Sequence, residues 1–305
     1  MQKLLRGLAI MAALFSLAVV AVACGDDDGE GGREGPTIRV GAFDFSESHI
    51  LAEIYAQALQ AEGYSVSTGN ILPGSPREII KPALEAGELD LVPEYVGTLL
   101  TFLGGEPTSD GVENQAEAKE LFEASGVTLL DIAPAQDTNA IVANKETAEK
   151  YNLEKVSDLE PVASELHFAG PPECPERQFC LIGLEEVYGI EFGEFTPLDF
   201  GPRVIALEEG AVDLALLFST DAQIAAKGFV LLEDDKGLQP AENIVPAIRT
   251  DVLDEYDEDL VNVLNSVTAK ITTEGLTALN MKVQVDKEDP DDVAEEWLRE
   301  NGFLE

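Results

Sequence analysis

Two stretches of the chain end in side chains that could bind a small polar or charged molecule. Glu94 and Tyr95 follow the apolar run at residues 89–93, and Ser219-Thr220-Asp221 follows the apolar run at residues 214–218. A phenol ring attracts cations over its face, while hydroxyl and carboxylate groups supply hydrogen bonds and charge. In open α/β sheets, ligands bind beyond the carboxyl ends of the strands. The two stretches therefore mark a candidate binding site.

The same phrase, A-L-E-x-G-x-[LV]-D-L, precedes both stretches, at residues 83–91 and 206–214. In the first copy, helical spacing of apolar residues leads to Gly87, which is predicted to end the helix because glycine adopts a left-handed cap freely. Pro93 is predicted to end the strand that follows. Such turns could recur by chance in α/β proteins. Two copies about a lobe apart instead indicate two similar α/β lobes, each presenting a strand end to a shared cleft.

Other polar residues could join this cleft. Residues 133–139 lack periodicity and are predicted to be the first crossing between the lobes, and residues 239–243 the return crossing. A helix with its apolar face on one side is predicted to begin near Ser46 and Ser48, either of which could cap it. The N-terminus of that helix could also hold a carboxylate, although capping alone explains the two serines.

The predicted organisation divides the chain into four parts. Residues 1–23 are a signal peptide and residues 24–36 a disordered acidic tether, because the tether has no apolar residue to bury. Lobe I comprises residues 37–138 plus 242–305, and lobe II residues 139–241. Residues 37–41 and 63–66 are predicted to be the first two strands. The hydrophobic content of 45% is enough for a sizeable core.

The leader carries Lys3 and Arg6 before an apolar run at residues 8–23. This run is shorter than a typical membrane-spanning helix. Its end, Ala21-Val22-Ala23-Cys24, resembles a bacterial lipoprotein cleavage site. The resemblance implies that Cys24 becomes the lipidated first residue and anchors the protein to the outer face of the cell membrane. The alternative is an ordinary secretory signal cut near Ala23, with Cys24 incidental.

Charge and motif content exclude several classes of function. The net charge of −40 and the pI of about 4.1 argue against nucleic-acid binding, because phosphates would be repelled. His49 and His167 have no nucleophile motif around them, and neither a phosphate-binding glycine loop nor zinc spacing is present. Asp90 and Asp213 are expected to hold backbone N–H groups after their turns. We therefore predict a binding protein without catalytic residues, metal or cofactor, a sensor or adhesin ectodomain being the alternative.

Cys174 and Cys180 lie six residues apart, and outside the cytoplasm so close a pair is predicted to form a disulfide. A metal site is the alternative. It would need more ligands than the one nearby histidine, His167.

Four segments stand in the order found in a known family: residues 41–48, 87–98, 218–221 and 231–236. Together they resemble the substrate-binding proteins of ABC importers for glycine betaine, carnitine and choline. The resemblance implies a type II periplasmic-binding-protein fold, in which two α/β lobes joined by two crossovers enclose a ligand cleft. It also implies a membrane permease and an ATPase subunit as partners.

The family holds a quaternary ammonium group in a cage of aromatic rings by cation–π attraction. Tyr95 stands at one cage position, and Phe218 could contribute another face. Asn139, Val204 and the pair Glu242-Asn243 stand where the family often has tyrosine, and Ser48 replaces a glutamine. The sequence therefore predicts a more polar pocket with fewer rings, and either weak betaine binding or another substrate, such as an amino acid.

We predict that the ligand is an osmolyte, either a small zwitterion or a quaternary amine. Its cationic end would face Tyr95 with Asp137 or Asp221, and its carboxylate would face Arg203 or a helix N-terminus. The protein is expected to be an extracytoplasmic monomer that binds no nucleic acid. The predicted ligand-binding residues are Ser46, Ser48, Tyr95, Thr98, Asp137, Thr138, Asn139, Arg203, Phe218, Ser219, Thr220, Asp221 and Asn243.

Overall fold

A computed structural model describes residues 33–68, 75–256 and 258–305. The predicted signal peptide, Cys24 and the first part of the predicted tether lie outside these residues. None of the described helices is long and apolar enough to cross a membrane.

The described part of the chain alternates between strands and helices. The strands are β1 (Ile38–Arg39), β2 (Val66–Ser67), β3 (Leu91–Tyr95), β4 (Val127–Leu129), β5 (Asn139–Ala143), β6 (His167–Gly170), β7 (Glu194–Pro197), β8 (Leu214–Phe218), β9 (Val230–Leu231) and β10 (Ile244–Arg249). The α-helices are α1 (Ser46–Ala61), α2 (Arg77–Glu85), α3 (Val96–Phe102), α4 (Gly111–Glu123), α5 (Lys145–Tyr151), α6 (Gly183–Tyr188), α7 (Phe200–Glu208), α8 (Ala222–Lys227), α9 (Thr250–Glu255), α10 (Glu258–Thr268), α11 (Thr273–Met281) and α12 (Pro290–Glu300).

The strands form two main sheets. In the first, β10 lies between β3 and β4 and runs antiparallel to both, and the short parallel pair β1–β2 adjoins it through a bridge between Val40 and Leu91. In the second, the order is β7-β6-β8-β5-β9, with β6 parallel to β7 and β8 and with β5 antiparallel to β8 and β9. The chain leaves the first sheet after β4 and returns to it with β10.

The two crossing segments run side by side. Gln136 and Asn243 form an antiparallel bridge, and the Asp137 N–H donates to the Glu242 carbonyl at 3.1 Å. The two segments that the sequence predicts to be crossings are therefore bonded to each other.

The repeated phrase folds into the same turn twice. The glycine of each copy has a left-handed φ, 74° in the first and 68° in the second, which a residue with a Cβ rarely adopts. Asp90 Oδ2 accepts the Arg39 N–H at 2.8 Å, and Asp213 Oδ2 accepts the His167 N–H at 2.8 Å. Each aspartate thus ties its turn to the neighbouring strand, which is the structural role expected of it.

Pro93 does not end its strand, because β3 continues to Tyr95. Pro93 lies directly opposite Pro246 on β10. Facing residues in an antiparallel pair alternate between positions that exchange N–H bonds and positions that do not. A proline pair fits a position that does not, so the prediction that Pro93 terminates the strand is wrong.

The first two strands are also shorter than predicted. β2 begins at Val66, because Gly63 has a φ of 83° and the chain turns back onto α1 through the Tyr64 N–H, which donates to the Leu59 carbonyl at 3.0 Å. Arg33, near the end of the predicted tether, is bonded to the folded part of the chain. The Arg33 N–H donates to the Gly63 carbonyl at 2.8 Å, and its guanidinium reaches Asp259 at 3.1 Å.

α1 is the central helix of the first lobe. Its apolar residues Ile50, Leu51 and Ile54 are fully buried, and the helix contacts α10, α11 and α12 as well as β3. Burying each such side chain contributes about 1.5–3 kcal/mol. This packing fixes the N-terminus of α1, and with it the loop before the helix, against the end of β3.

Candidate ligand-binding site

A cavity of about 690 Å³ opens where the ends of β3 and β8 face each other. This volume lies within the range of about 300–1,000 Å³ that is usual for small-molecule sites. The aromatic residues that line it are Phe43, Phe45, Tyr95, Phe102, Phe179, Phe200 and Phe218. Tyr95 and Phe218 are the two of these rings that the sequence analysis named.

Five of these rings form one cluster, which we call the ring cluster: Phe43, Phe45, Tyr95, Phe200 and Phe218. The Phe45 centroid lies 4.8 Å from that of Phe218 and 5.8 Å from that of Tyr95, while the Phe218 and Phe200 centroids are 5.6 Å apart. Tyr95 ends β3, Phe218 ends β8, and Phe200 begins α7. The cluster therefore draws rings from both sheets, and a cation resting on it would contact rings of both.

Arg203 contributes a buried guanidinium to the same cavity. Its side chain is 3% exposed, Nη1 donates to the Leu216 carbonyl at 2.6 Å, and Nε has no partner among the described residues. Burial lowers the pKa of Arg203 to about 10, and the charges of nearby acids such as Asp44 oppose this shift. A guanidinium with unused donors at a cavity wall is suited to a carboxylate.

Asp137 lines the cavity and is buried. Its Oδ1 accepts the Ser219 hydroxyl at 3.1 Å and the Thr220 N–H at 3.0 Å. Burial and then the charge of Glu47 hold the pKa of Asp137 well above its usual range. The first crossing is thereby tied to the turn that follows β8.

Glu47 lies behind the cavity wall and joins several elements. It accepts hydrogen bonds from the Tyr95 hydroxyl at 2.8 Å, from Asn280 Nδ2 at 2.8 Å and from the Thr220 hydroxyl. Burial raises the pKa of Glu47, and these donors oppose the shift. Because Tyr95 is 5% exposed and donates into this network, its ring is held firmly in place.

Six of the thirteen predicted residues line the cavity: Tyr95, Thr98, Asp137, Asn139, Arg203 and Phe218. The other seven, Ser46, Ser48, Thr138, Ser219, Thr220, Asp221 and Asn243, do not line it. Thr138 and Ser219, with Asn139, line a second groove of about 590 Å³ beside the crossing segments. Thr220 and Asn243 are buried, and Asn243 Nδ2 donates to the Ala133 carbonyl at 2.9 Å.

The serines of α1 do not cap the helix as predicted, because the N-cap position is Phe45 and no side-chain cap bond is made. Ser48 Oγ accepts the Phe43 N–H at 2.9 Å, and Ser46 Oγ accepts from Gln284 at 3.0 Å. Asp221 caps α8 by accepting the Gln223 N–H at 3.0 Å. These three side chains therefore support the residues around the cavity without lining it.

Cys174 and Cys180 are joined in a disulfide, with Cα atoms 5.3 Å apart. Their loop lines one side of the cavity and carries Arg177, whose Nη2 donates to Glu78 Oε1 at 2.8 Å across the cavity mouth. His167, the ligand considered for a metal site, instead places Nε2 2.6 Å from the Thr196 hydroxyl.

We expect protein from the cell envelope to contain no free thiol at Cys174 or Cys180. Closing so short a loop should stabilise the fold by about 2 kcal/mol, because the cross-link restricts the unfolded chain. Thiol labelling with mass spectrometry, before and after reduction, tests the bond, and urea unfolding of the reduced protein tests its contribution. Two labelled thiols before reduction would contradict this prediction.

Sequence reasoning missed Phe43, Phe45, Phe200, Glu47 and Glu242 as site residues. Phe43, Phe45 and Glu47 lie within the segment 41–48 that carries the family resemblance, which was the available signal. Glu242 was noted only as a replacement for a ring, although it lines the cavity. A carboxylate where the resemblance implies a tyrosine was itself a signal of altered chemistry.

Residues 36–300 match the family model OpuAC, the substrate-binding domain of ABC-type glycine betaine transport systems. The chain is 29% identical over 298 residues to a glycine-betaine-binding protein of Pseudomonas aeruginosa, with 94% of each chain covered. It is 31% identical over 282 residues to the carnitine transport binding protein OpuCC of Listeria monocytogenes, with 91% of each covered.

Comparison with solved structures leads to the same kind of protein as comparison with these relatives. A glycine betaine/carnitine/choline ABC transporter structure superposes with a TM-score of 0.70 at 28% identity, covering 88% of this chain and all of that chain. Lactococcal OpuAC in its closed conformation with glycine betaine has a TM-score of 0.65 at 15% identity, over 88% of this chain and 97% of that one, and shows the fold alone. The chain therefore has the type II periplasmic-binding-protein fold, and it belongs to the OpuAC family of ABC-transporter substrate-binding domains, which serves transport rather than catalysis.

Proposed function

We propose that this protein captures glycine betaine or a related small zwitterion or quaternary amine and delivers it to an ABC permease that works with an ATPase subunit. The observation that carries the proposal is the presence, in one cavity, of the ring cluster and the buried Arg203 guanidinium. Aromatic faces suit a quaternary ammonium group, which cannot donate hydrogen bonds, and a guanidinium suits a carboxylate.

The proposed ligand orientation follows from these two features. The ammonium group lies on the ring cluster near Phe45, Tyr95 and Phe218, in the cavity that Asp137 also lines. The carboxylate lies at Arg203, whose guanidinium donates one hydrogen bond within the described part of the chain, to the Leu216 carbonyl. Without such a donor, burying a carboxylate would be costly.

We place the lobe boundaries at the crossing segments, with residues 37–138 plus 242–305 in lobe I and residues 139–241 in lobe II. Phe45 and Tyr95 then belong to lobe I, and Arg203 and Phe218 to lobe II. A ligand that contacts both sets favours the closed arrangement by its higher affinity for it. This coupling would allow the permease to distinguish the loaded protein from the empty one.

The family acts outside the cytoplasm, and we propose that this protein is anchored there through a lipid on Cys24 and acts as a monomer. The run Ala21-Val22-Ala23-Cys24 supports the anchor. A lipidated cysteine carries more than one acyl chain, which stable membrane attachment requires. The acidic residues between Cys24 and the folded body would let the lobes stand away from the membrane.

Calorimetric titration of the purified protein with glycine betaine, carnitine, choline, glutamate and sucrose tests the function. We expect the quaternary amines to bind, and Phe45→Ala to weaken glycine betaine binding by about 2- to 30-fold, since a cation–π contact contributes about 0.5–2 kcal/mol. The control is Phe303→Ala, which removes a ring stacked on Trp297 outside the cavity. Binding of glutamate or sucrose in preference to all three amines would contradict the proposal.

A further inference from the structure

Carboxyl groups outnumber cations on the cavity wall. Its described residues include seven carboxyl groups, those of Asp44, Glu78, Asp137, Glu173, Glu176, Asp199 and Glu242, and three guanidinium groups, those of Arg77, Arg177 and Arg203. Arg77 is already paired with Glu94 at 2.8 Å, and Arg177 with Glu78 at 2.8 Å and Glu173 at 3.3 Å. The wall therefore retains an excess of acidic groups that a bound cation would balance.

Two of these acids, Asp137 and Glu242, are buried and held by hydrogen bonds, and Glu242 is the more deeply buried. Its side chain is 3% exposed at the cavity wall. Oε2 accepts the Gly97 N–H at 3.0 Å, and Oε1 accepts the Thr98 hydroxyl. These contacts fix the carboxyl group against the first turn of α3, which directly follows Tyr95.

The charged and titratable groups around Glu242 come from three directions. Arg77 of α2 faces it and is itself neutralised by Glu94 of β3. The Asp137 N–H, in the first crossing, donates to the Glu242 carbonyl, and Glu47 interacts in turn with Asp137. The α3 residues that bond to Glu242, Gly97 and Thr98, carry no charge. Burial raises the pKa of Glu242 to about 7, although the Thr98 and Gly97 hydrogen bonds and the Arg77 charge oppose the shift. For this carboxyl group, burial thus outweighs the neighbours that favour its charged form.

We propose that Glu242 is a specificity-determining residue whose carboxylate pairs with the ammonium group of the ligand, and that the bound cation takes the place of a proton on this carboxyl group. This inference rests on the proposed function and adds to it that the site selects ligands by their charge. The ligand class it selects carries a permanent positive charge, with or without a carboxylate.

The exchange follows from simple charge balance. In the empty cavity, burial favours the neutral carboxyl group, because a lone buried charge is poorly solvated. A bound quaternary ammonium group supplies the missing positive charge, so the O–H bond of Glu242 breaks and the proton passes to solvent. Binding should therefore tighten as the pH rises through the pKa of the free site, and it should release protons.

The test is calorimetric titration with choline, a cation that lacks a carboxylate and so does not need Arg203. Titrations at pH 6 and pH 8 give the pH dependence, and titrations at pH 7 in two buffers of different ionisation enthalpy give the number of protons released. With a pKa of about 7 for Glu242, we expect the Kd to fall about tenfold from pH 6 to pH 8 and about half a proton to be released at pH 7.

Glu242→Gln should bind choline about tenfold or more weakly than the unaltered protein at pH 8, because the charge partner is lost. The Kd of this variant for choline should no longer change tenfold between pH 6 and pH 8. Any pH dependence that remains comes from Asp137 and Glu47. The matched control is Glu176→Gln, which removes an exposed carboxylate from the rim of the same cavity and should keep the pH dependence.

Two results would overturn the inference alone: choline binding by the unaltered protein without proton release, or a Glu242→Gln protein that keeps the affinity and the tenfold pH dependence. The measurement of proton release needs no variant, so the absence of release overturns the inference even if Glu242→Gln fails to fold. Failure of the unaltered protein to bind any quaternary amine at either pH would instead overturn the proposed function, and this inference with it.

Discussion

Replacing Arg203 with methionine is expected to weaken glycine betaine binding by about 30-fold to several thousand-fold, which corresponds to about 2–5 kcal/mol for a truncated buried charge pair. The guanidinium is 3% exposed at the cavity wall, and its Nε has no partner in the described part of the chain. Choline, which has no carboxylate, should lose far less affinity. Parallel titrations of the two ligands measure this difference.

Arg177→Met is the matched control for this experiment, because it removes a guanidinium from the rim of the same cavity. Arg177 is partly exposed and already paired with Glu78 and Glu173, so its loss should change the Kd of glycine betaine by less than about tenfold. If Arg203→Met binds glycine betaine and choline with unchanged affinities, the carboxylate lies elsewhere and the proposed ligand orientation is wrong.

Glu47→Ala is expected to lower the free energy of unfolding by about 3–5 kcal/mol, because each buried donor left without an acceptor costs about 1–3 kcal/mol. Three donors would be stranded, from Tyr95, Thr220 and Asn280. Glu47→Gln keeps an acceptor and should cost less. Urea unfolding measures both, and Glu53→Ala, at a half-buried carboxylate of the same helix, is the control.

The pH dependence of this network has a defined sign. Burial raises the pKa of Glu47 in the folded state, so the native protein binds that proton more tightly than the unfolded chain does. The stability contributed by this group is present at low pH and is lost as the pH rises through the raised pKa. Glu47→Gln should therefore gain stability relative to the unaltered protein as the pH rises above 4.5, the ordinary pKa of glutamate. A cost below about 1 kcal/mol for Glu47→Ala would contradict the role of the network.

The fold was predictable wherever local chemistry decides it. Gly87 and Gly210 take the left-handed conformation that their positions demand, and the two copies of the phrase make equivalent turns. Pro93 shows the limit of such reasoning, because its effect depends on the strand opposite. It faces Pro246 at a position that needs no N–H donor.

The candidate site was predictable at strand ends and missed where distant segments meet. Tyr95 and Phe218 follow directly from the ends of β3 and β8. The partners of Glu47, by contrast, lie 173 residues away at Thr220 and 233 residues away at Asn280. No local pattern encodes such contacts, and the same holds for Phe45, whose ring meets Phe218 only after both sheets have formed.

A crystal structure of the protein with glycine betaine tests the central claim most directly. The account predicts the ammonium group within about 6 Å of the centroids of Phe45, Tyr95 and Phe218, which is the range of cation–π attraction, and the carboxylate hydrogen-bonded to Arg203. Glycine betaine bound in the second groove, beside Thr138 and Ser219, or in this cavity without contact to the ring cluster, would contradict it.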